Sequence, residues 1–172
     1  MHCIWDSPAW QSLGTFTSTP HNLTFSYYID WFNPFTNKIA GRVVSCGAIM
    51  MFCLNLPDEM QRMPKYTFFA GITPPLKEPT MITITAVSDP IVERLKGMWE
   101  GRIICTHQYP LGVQKQVRVL VAIGDLLAIC KAMGFHGVAS ELHICSFCDL
   151  CKADLEDLRH HLWTLHKGED VL

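Results

Sequence analysis

Residues 24–41, TFSYYIDWFNPFTNKIAG, constrain this chain more than any other stretch. The run begins aromatic and apolar, which suits a pleated, half-buried strand, and Asn33-Pro34 is a turn signal that breaks it. Asp30 falls where the strand is expected to end. A carboxylate at the end of a buried strand is costly unless it caps a turn, pairs with a cation or binds a metal. Turn capping is the bland reading, metal binding the functional one, and spacing alone leaves both open.

The rest of the chain can supply a core for such a strand. Its 172 residues suffice for one domain, and 49% apolar against 17% charged residues exclude a disordered tail. The formal charge of −2 argues against a free-standing nucleic-acid binder, which normally carries a basic face. Charge is also uneven: 11 Lys/Arg face 9 Asp/Glu up to Ser140, against 3 and 7 from Glu141 onward. Met1 to Trp10 lacks the basic start and apolar run of a signal peptide. Val43 to Leu56 is too short and too polar for a membrane span and reads as a buried strand, so no membrane partner is expected. Of eight cysteines, Cys46, Cys53 and Cys130 lie inside apolar runs, while Cys145, Cys148 and Cys151 cluster. That usage fits a reducing, intracellular compartment better than a disulfide network.

Residues 1–21 read as an irregular segment, 22–140 as a core and 141–172 as a Cys/His-containing helical segment. Strands are expected over Asn22–Asp30, Val43–Leu54 and Tyr66–Ile72, with a loop over Asp58–Lys65; short connections suggest an antiparallel meander. Asp89 as N-cap with Pro90 in the first turn predicts a helix whose inner face carries Ile91, Leu95, Met98 and Trp99, closed by Gly101. Arg102–His107 and Lys115–Ile123 read as strands around a Pro110-Leu111-Gly112 turn. VRVLVAIG is apolar throughout, which predicts burial on both faces at the centre of a sheet. Asp125 follows it and precedes a short helix, Leu126–Met133, that ends at Gly134. As an N-cap Asp125 would contribute about 1 kcal/mol, which is its bland role. The fold class is therefore α+β or mixed α/β.

DWFNPFTNK, with WDSPAW upstream and LNLP downstream, resembles the transposases of CACTA-type (En/Spm-like) and fungal Plavaka-type DNA transposons. The likeness runs through most of the chain. It implies a partial ribonuclease-H-like fold, a central mixed sheet with flanking helices, and a DDE catalytic core. In that family the Asp before FNPF is the first acid, here Asp30, and an Asp at a strand-to-helix junction is the second, here Asp125. Where the family reads Asp, then Phe or Leu, Pro and Ala, this chain has Asp125-Leu126-Leu127-Ala128, which keeps the carboxylate and loses a rigid turn. Three acids are needed because two magnesium ions about 4 Å apart activate the nucleophile and stabilise the departing oxygen. The family's third acid, a Glu, lies downstream of the cysteine cluster; Glu141, Glu156 and Glu169 do not occupy its position. The resemblance thus implies Mg2+ at Asp30 and Asp125, DNA as partner of the intact family, and a nuclear address. The expectation for this chain is a truncated, inactive remnant that presents its missing-core edge to a protein partner.

A second reading comes from another class. Cys145-x2-Cys148-x12-His161-x4-His166 matches two-Cys, two-His zinc spacing, so Zn2+ could organise a small interaction module. Against a DNA-reading finger stand Lys152 where an aromatic is usual and the acidic run DLEDL. The plainer alternative is an amphipathic helix over Asp154–Lys167 with Leu155, Leu158, Leu162 and Leu165 inward. A decayed gene copy with no selected role is a third reading.

Overall fold

The computed structural model describes residues 3–33, 45–74, 79–135, 140, 145, 148, 150–154 and 156. Its centre is a four-stranded mixed sheet in the order β3-β2-β1-β6, built from β1 (Leu23–Phe32), β2 (Cys46–Cys53), β3 (Thr67–Ile72) and β6 (Val117–Ile123). β2 runs antiparallel to both β1 and β3, and β1 runs parallel to β6. This is the arrangement expected for the first strands of a ribonuclease-H-like sheet, and the fold is mixed α+β with helices flanking the sheet. A separate ribbon pairs β4 (Arg102–Ile104) with β5 (Val113–Lys115), turned by Gly112 at φ +90°.

Alternation along β1 decides its two faces. Tyr27 and Ile29 point toward α3 (Met81–Trp99) and α4 (Leu126–Met133), forming the core with Ile49, Met51, Ile84 and Ala128. Val87, Ile91 and Leu95 extend that contact along α3 at helical spacing, and the Tyr27 hydroxyl meets Ser88 Oγ at 3.0 Å. The opposite face of β1 carries Thr24, Ser26, Tyr28 and Asp30, the first two fully buried.

Several sequence expectations need correction. β1 does not stop at Asp30 but continues to Phe32, because Asp30, Trp31 and Phe32 still pair with Ala48, Gly47 and Cys46. α3 begins at Thr80, whose hydroxyl accepts from the Thr83 amide at 3.3 Å, not at Asp89. Pro90 therefore lies inside the helix, where it leaves the Ala86 carbonyl without its usual donor. Burial of Ile84 and Val87 outweighs that cost, which is why the Asp-Pro signal misleads. Trp99 is 48% exposed and is no core residue. β6 is only partly buried along most of its length and pairs, among the described residues, with β1 alone. Its apolar run reports strand preference rather than two neighbours. The strand expected over Lys115–Ile123 is interrupted at Gln116, and that over Arg102–His107 ends at Ile104. Residues before β1 are not irregular: short helical turns cover Ile4–Asp6, α1 (Pro8–Ser12) and Gly14–Ser18, with Ser7 capping Trp10. The expected loop after β2 likewise holds a helical turn, α2 (Asp58–Gln61). No described helix is long and apolar enough to cross a membrane.

Two stability outcomes follow. Thr80→Ala should cost about 1 kcal/mol in urea unfolding, while Asp89→Ala, exposed in mid-helix, should stay within about 0.5 kcal/mol. The reverse ranking would place the helix start at Asp89. Burial raises the Tyr27 phenol above its ordinary pKa of 10.0, against a smaller lowering by the Ser88 hydrogen bond. The unfolded chain then loses this proton first, so Tyr27 costs no stability below about pH 10 and lowers it as pH rises beyond. Tyr27→Phe should flatten that alkaline fall in a pH series of melting temperatures.

Candidate acid site at the end of the parallel strand pair

The parallel ladder runs from Leu23↔Val117 to Tyr28↔Ile123. A register shift lies within it: Phe25 pairs with Val119 but Ser26 with Val121, so Leu120 is an extra residue on β6. Continued two residues past the last pair, that register matches Asp30 with Asp125. Without the shift, an unbroken ladder would match Asp30 with Gly124 instead. β1 is still held by β2 at this point, while β6 turns away into α4. Divergence of the two strands opens the crevice where open α/β sheets place their sites.

Backbone packing brings the two segments together. A Cβ on Gly124 would lie 2.6 Å from the Ile29 carbonyl oxygen and 3.2 Å from Ile29 Cγ2, so only glycine allows the approach. Gly124 precedes Asp125 as Ile29 precedes Asp30.

Each acid is held differently. Asp30 is half-buried; its Oδ1 accepts from the Trp31 amide at 2.8 Å and its Oδ2 from the Tyr28 hydroxyl at 3.0 Å. Asp125 is exposed and caps α4, its Oδ1 accepting from the Ala128 amide. Its Oδ2 takes no donor among the described residues. The bland role of Asp125 is thus real, and it leaves one oxygen for other work. The Asp30 hydrogen bonds among the described residues close within the strand, and the turn that its bland role would cap lies outside them.

Tyr28 joins the two acids and was not singled out in the sequence. Its phenol is raised above 10.0 chiefly by the hydrogen bond to Asp30, then by burial and by the negative charges of Asp30 and Asp125. Both carboxylates are close enough to act on one hydroxyl. The period of two along a strand was the available signal, since it puts Tyr28 and Asp30 on one face.

The C-terminal cysteines are only partly in view. Cys148 is buried and Cys145 half-buried, while His161 and His166 lie outside the described residues. Cys151 Sγ lies 2.6 Å from Asp154 Oδ2, and that contact chiefly holds the thiol pKa above its ordinary value. No disulfide joins any of the eight cysteines. Among the described residues no group of three or more His, Cys, Asp or Glu gathers as a metal cage. Of the three glutamates weighed as a third acid, Glu156 is exposed, and Glu141 and Glu169 lie outside the described residues, as do Pro34–Gly41 of the opening stretch.

No protein-family model matches the chain, and no curated protein is significantly similar to it.

Gly124→Ala tests the close approach. The added methyl meets a backbone oxygen that cannot rotate away, so a loss of about 1–3 kcal/mol is expected in chemical unfolding. An unchanged midpoint would mean that Asp30 and Asp125 are not held side by side.

Proposed function

We propose that this chain carries two acids of a metal-dependent phosphodiester-transfer centre of the transposase type. The observation that carries this reading is the register of β1 and β6, which sets Asp30 and Asp125 level at one sheet edge. The WDSPAW, DWFNPFTNK and LNLP strings support it independently.

The donor set suits a hard divalent cation. Asp125 is exposed and Asp30 half-buried, and among the described residues no Lys or Arg forms a salt bridge with either and Asp125 Oδ2 is uncommitted. Magnesium bound there would supply Lewis-acid polarisation of a phosphoryl oxygen and activation of the attacking hydroxyl. The protein's own part is positioning. Tyr28 and the Trp31 amide fix the Asp30 carboxylate, and the Ala128 amide fixes Asp125 with one oxygen directed outward. Two carboxylates attract one ion weakly and fall short of a two-metal cage, so the 172-residue chain alone is proposed to bind cation without cutting DNA.

Manganese titration followed by electron paramagnetic resonance tests the site. Asp30→Asn and Asp125→Asn should each weaken binding at least tenfold. Asn caps a helix about as well as Asp, so Asp125→Asn should keep the melting temperature, whereas Asp125→Ala should lose about 1 kcal/mol as well. Affinity unchanged in both Asn variants would remove the acid site. Duplex nicking by the wild-type chain that disappears in Asp30→Ala would show that the third acid is within these residues after all.

A further inference from the structure

At the other end of the same strand pair sits Arg118, the register partner of Thr24. Its guanidinium lies between two aromatic rings, 4.0 Å from the Trp99 centroid and 4.8 Å from that of Phe16. Its Nε is buried without a hydrogen-bond partner, as is Thr24 Oγ1 across the pair. Arg118 as a whole is half-buried rather than sealed off, and no carboxylate forms a salt bridge with it among the described residues. The strand partner is a threonine, so the sheet provides no counter-ion at this position. A partly desolvated cation held rigid and unpaired favours an external anion, and the planar Nη fork matches two oxygens of one group.

Surrounding groups specify the anion further. Arg102 lies against Gly97 in the last turns of α3, and its strand partner is Lys115. Arg102 there serves the negative end of the helix. That account covers Arg102 but not the ring clamp on Arg118. Beside Trp99 an open groove of about 410 Å3 is lined by Leu95, Lys96, Trp99 and Glu100. It falls within the usual size of small-ligand sites, and an indole that is 48% exposed offers a flat apolar surface. Cation and aromatic surface side by side fit a phosphate joined to a base.

We propose that Arg118, clamped by Phe16 and Trp99, anchors the phosphate of a nucleotide unit whose base packs along Trp99. The unit is a free nucleotide or part of a single strand. This site does not depend on the acid pair.

The test uses the full chain, with arginine side-chain NMR and two probes: adenosine monophosphate and a twelve-nucleotide single-stranded DNA. Either probe should shift the Arg118 Nε–Hε resonance saturably, and Asp30→Asn should leave that response unchanged. The response to AMP alone identifies the free nucleotide; a tighter response to the oligonucleotide identifies the strand. For the strand, Arg118→Met should lower the slope of log affinity against log salt by about 0.7, the share of one phosphate. Arg118→Lys keeps charge but not the fork, and should recover only part of the affinity. Should Arg118→Met fail to fold, the wild-type resonance and Arg118→Lys still decide. An Arg118 resonance indifferent to both probes, or Arg118→Lys binding as wild type does, would overturn the proposal.

Discussion

The structure depends on one pairing, the parallel ladder between β1 and β6. Parallel strands cannot be joined by a hairpin, so the chain between them must cross over the sheet. That crossing places β2 and β3 on one side of β1 and lays α3 over one face. β1 thereby gains neighbours on both edges, as β2 has, and Thr24 and Ile29 are fully buried on its opposite faces. The same pairing requires the segment after β6 to approach β1 closely, which Gly124 permits. Core, crossover and acid edge are consequences of one constraint.

Much of this was legible because aromatic and β-branched runs mark strands whatever their neighbours. β1, β2 and β3 lie where the residues predict them, α4 begins at Asp125, and it ends at Gly134 with φ +74°. Expectations failed where two local signals competed or where neighbours decided. Asp89-Pro90 is a good helix start in isolation, yet Ile84 and Val87 gain more by extending the helix under the sheet. Asp30 looked like a strand end because Asn33-Pro34 follows, but the β2 ladder holds two more residues. The apolar β6 sequence indicated a central strand, and composition cannot say how many neighbours a strand will have.

For the site, each acid was legible as a residue out of place in apolar surroundings, and Asp125 was legible as a cap. Their strands pair in parallel as the ribonuclease-H-like expectation has it, but the exact level of the two acids was not legible. It depends on the extra residue at Leu120, and a bulge in the all-apolar run VRVLVAI leaves no mark in composition. Tyr28 could have been found from strand periodicity, since a hydroxyl two residues before a carboxylate shares its face. The Arg118 clamp could not, because Phe16, Trp99 and Arg118 are brought together only by the docking of a turn, a helix end and a strand.

The two ends of the central strand pair carry opposite character, and that revises what net charge implies. Thr24 and Asp30 are six residues apart on β1, roughly 20 Å at about 3.3 Å per residue. Physiological screening has a length of about 8 Å, so the Asp30–Asp125 edge and the Arg118 end do not neutralise each other through solvent. A formal charge of −2 is thus compatible with a locally negative edge and a locally positive end on the same strand pair. The sequence-level objection to nucleic-acid contact rested on net charge and its trend along the chain, and neither reports where the fold places each charge. The proposed divalent cation belongs to one end and the proposed oxyanion to the other. Asp30 and Arg118 lie on two strands held by a single ladder, so the separation of the two ends is set by the sheet itself.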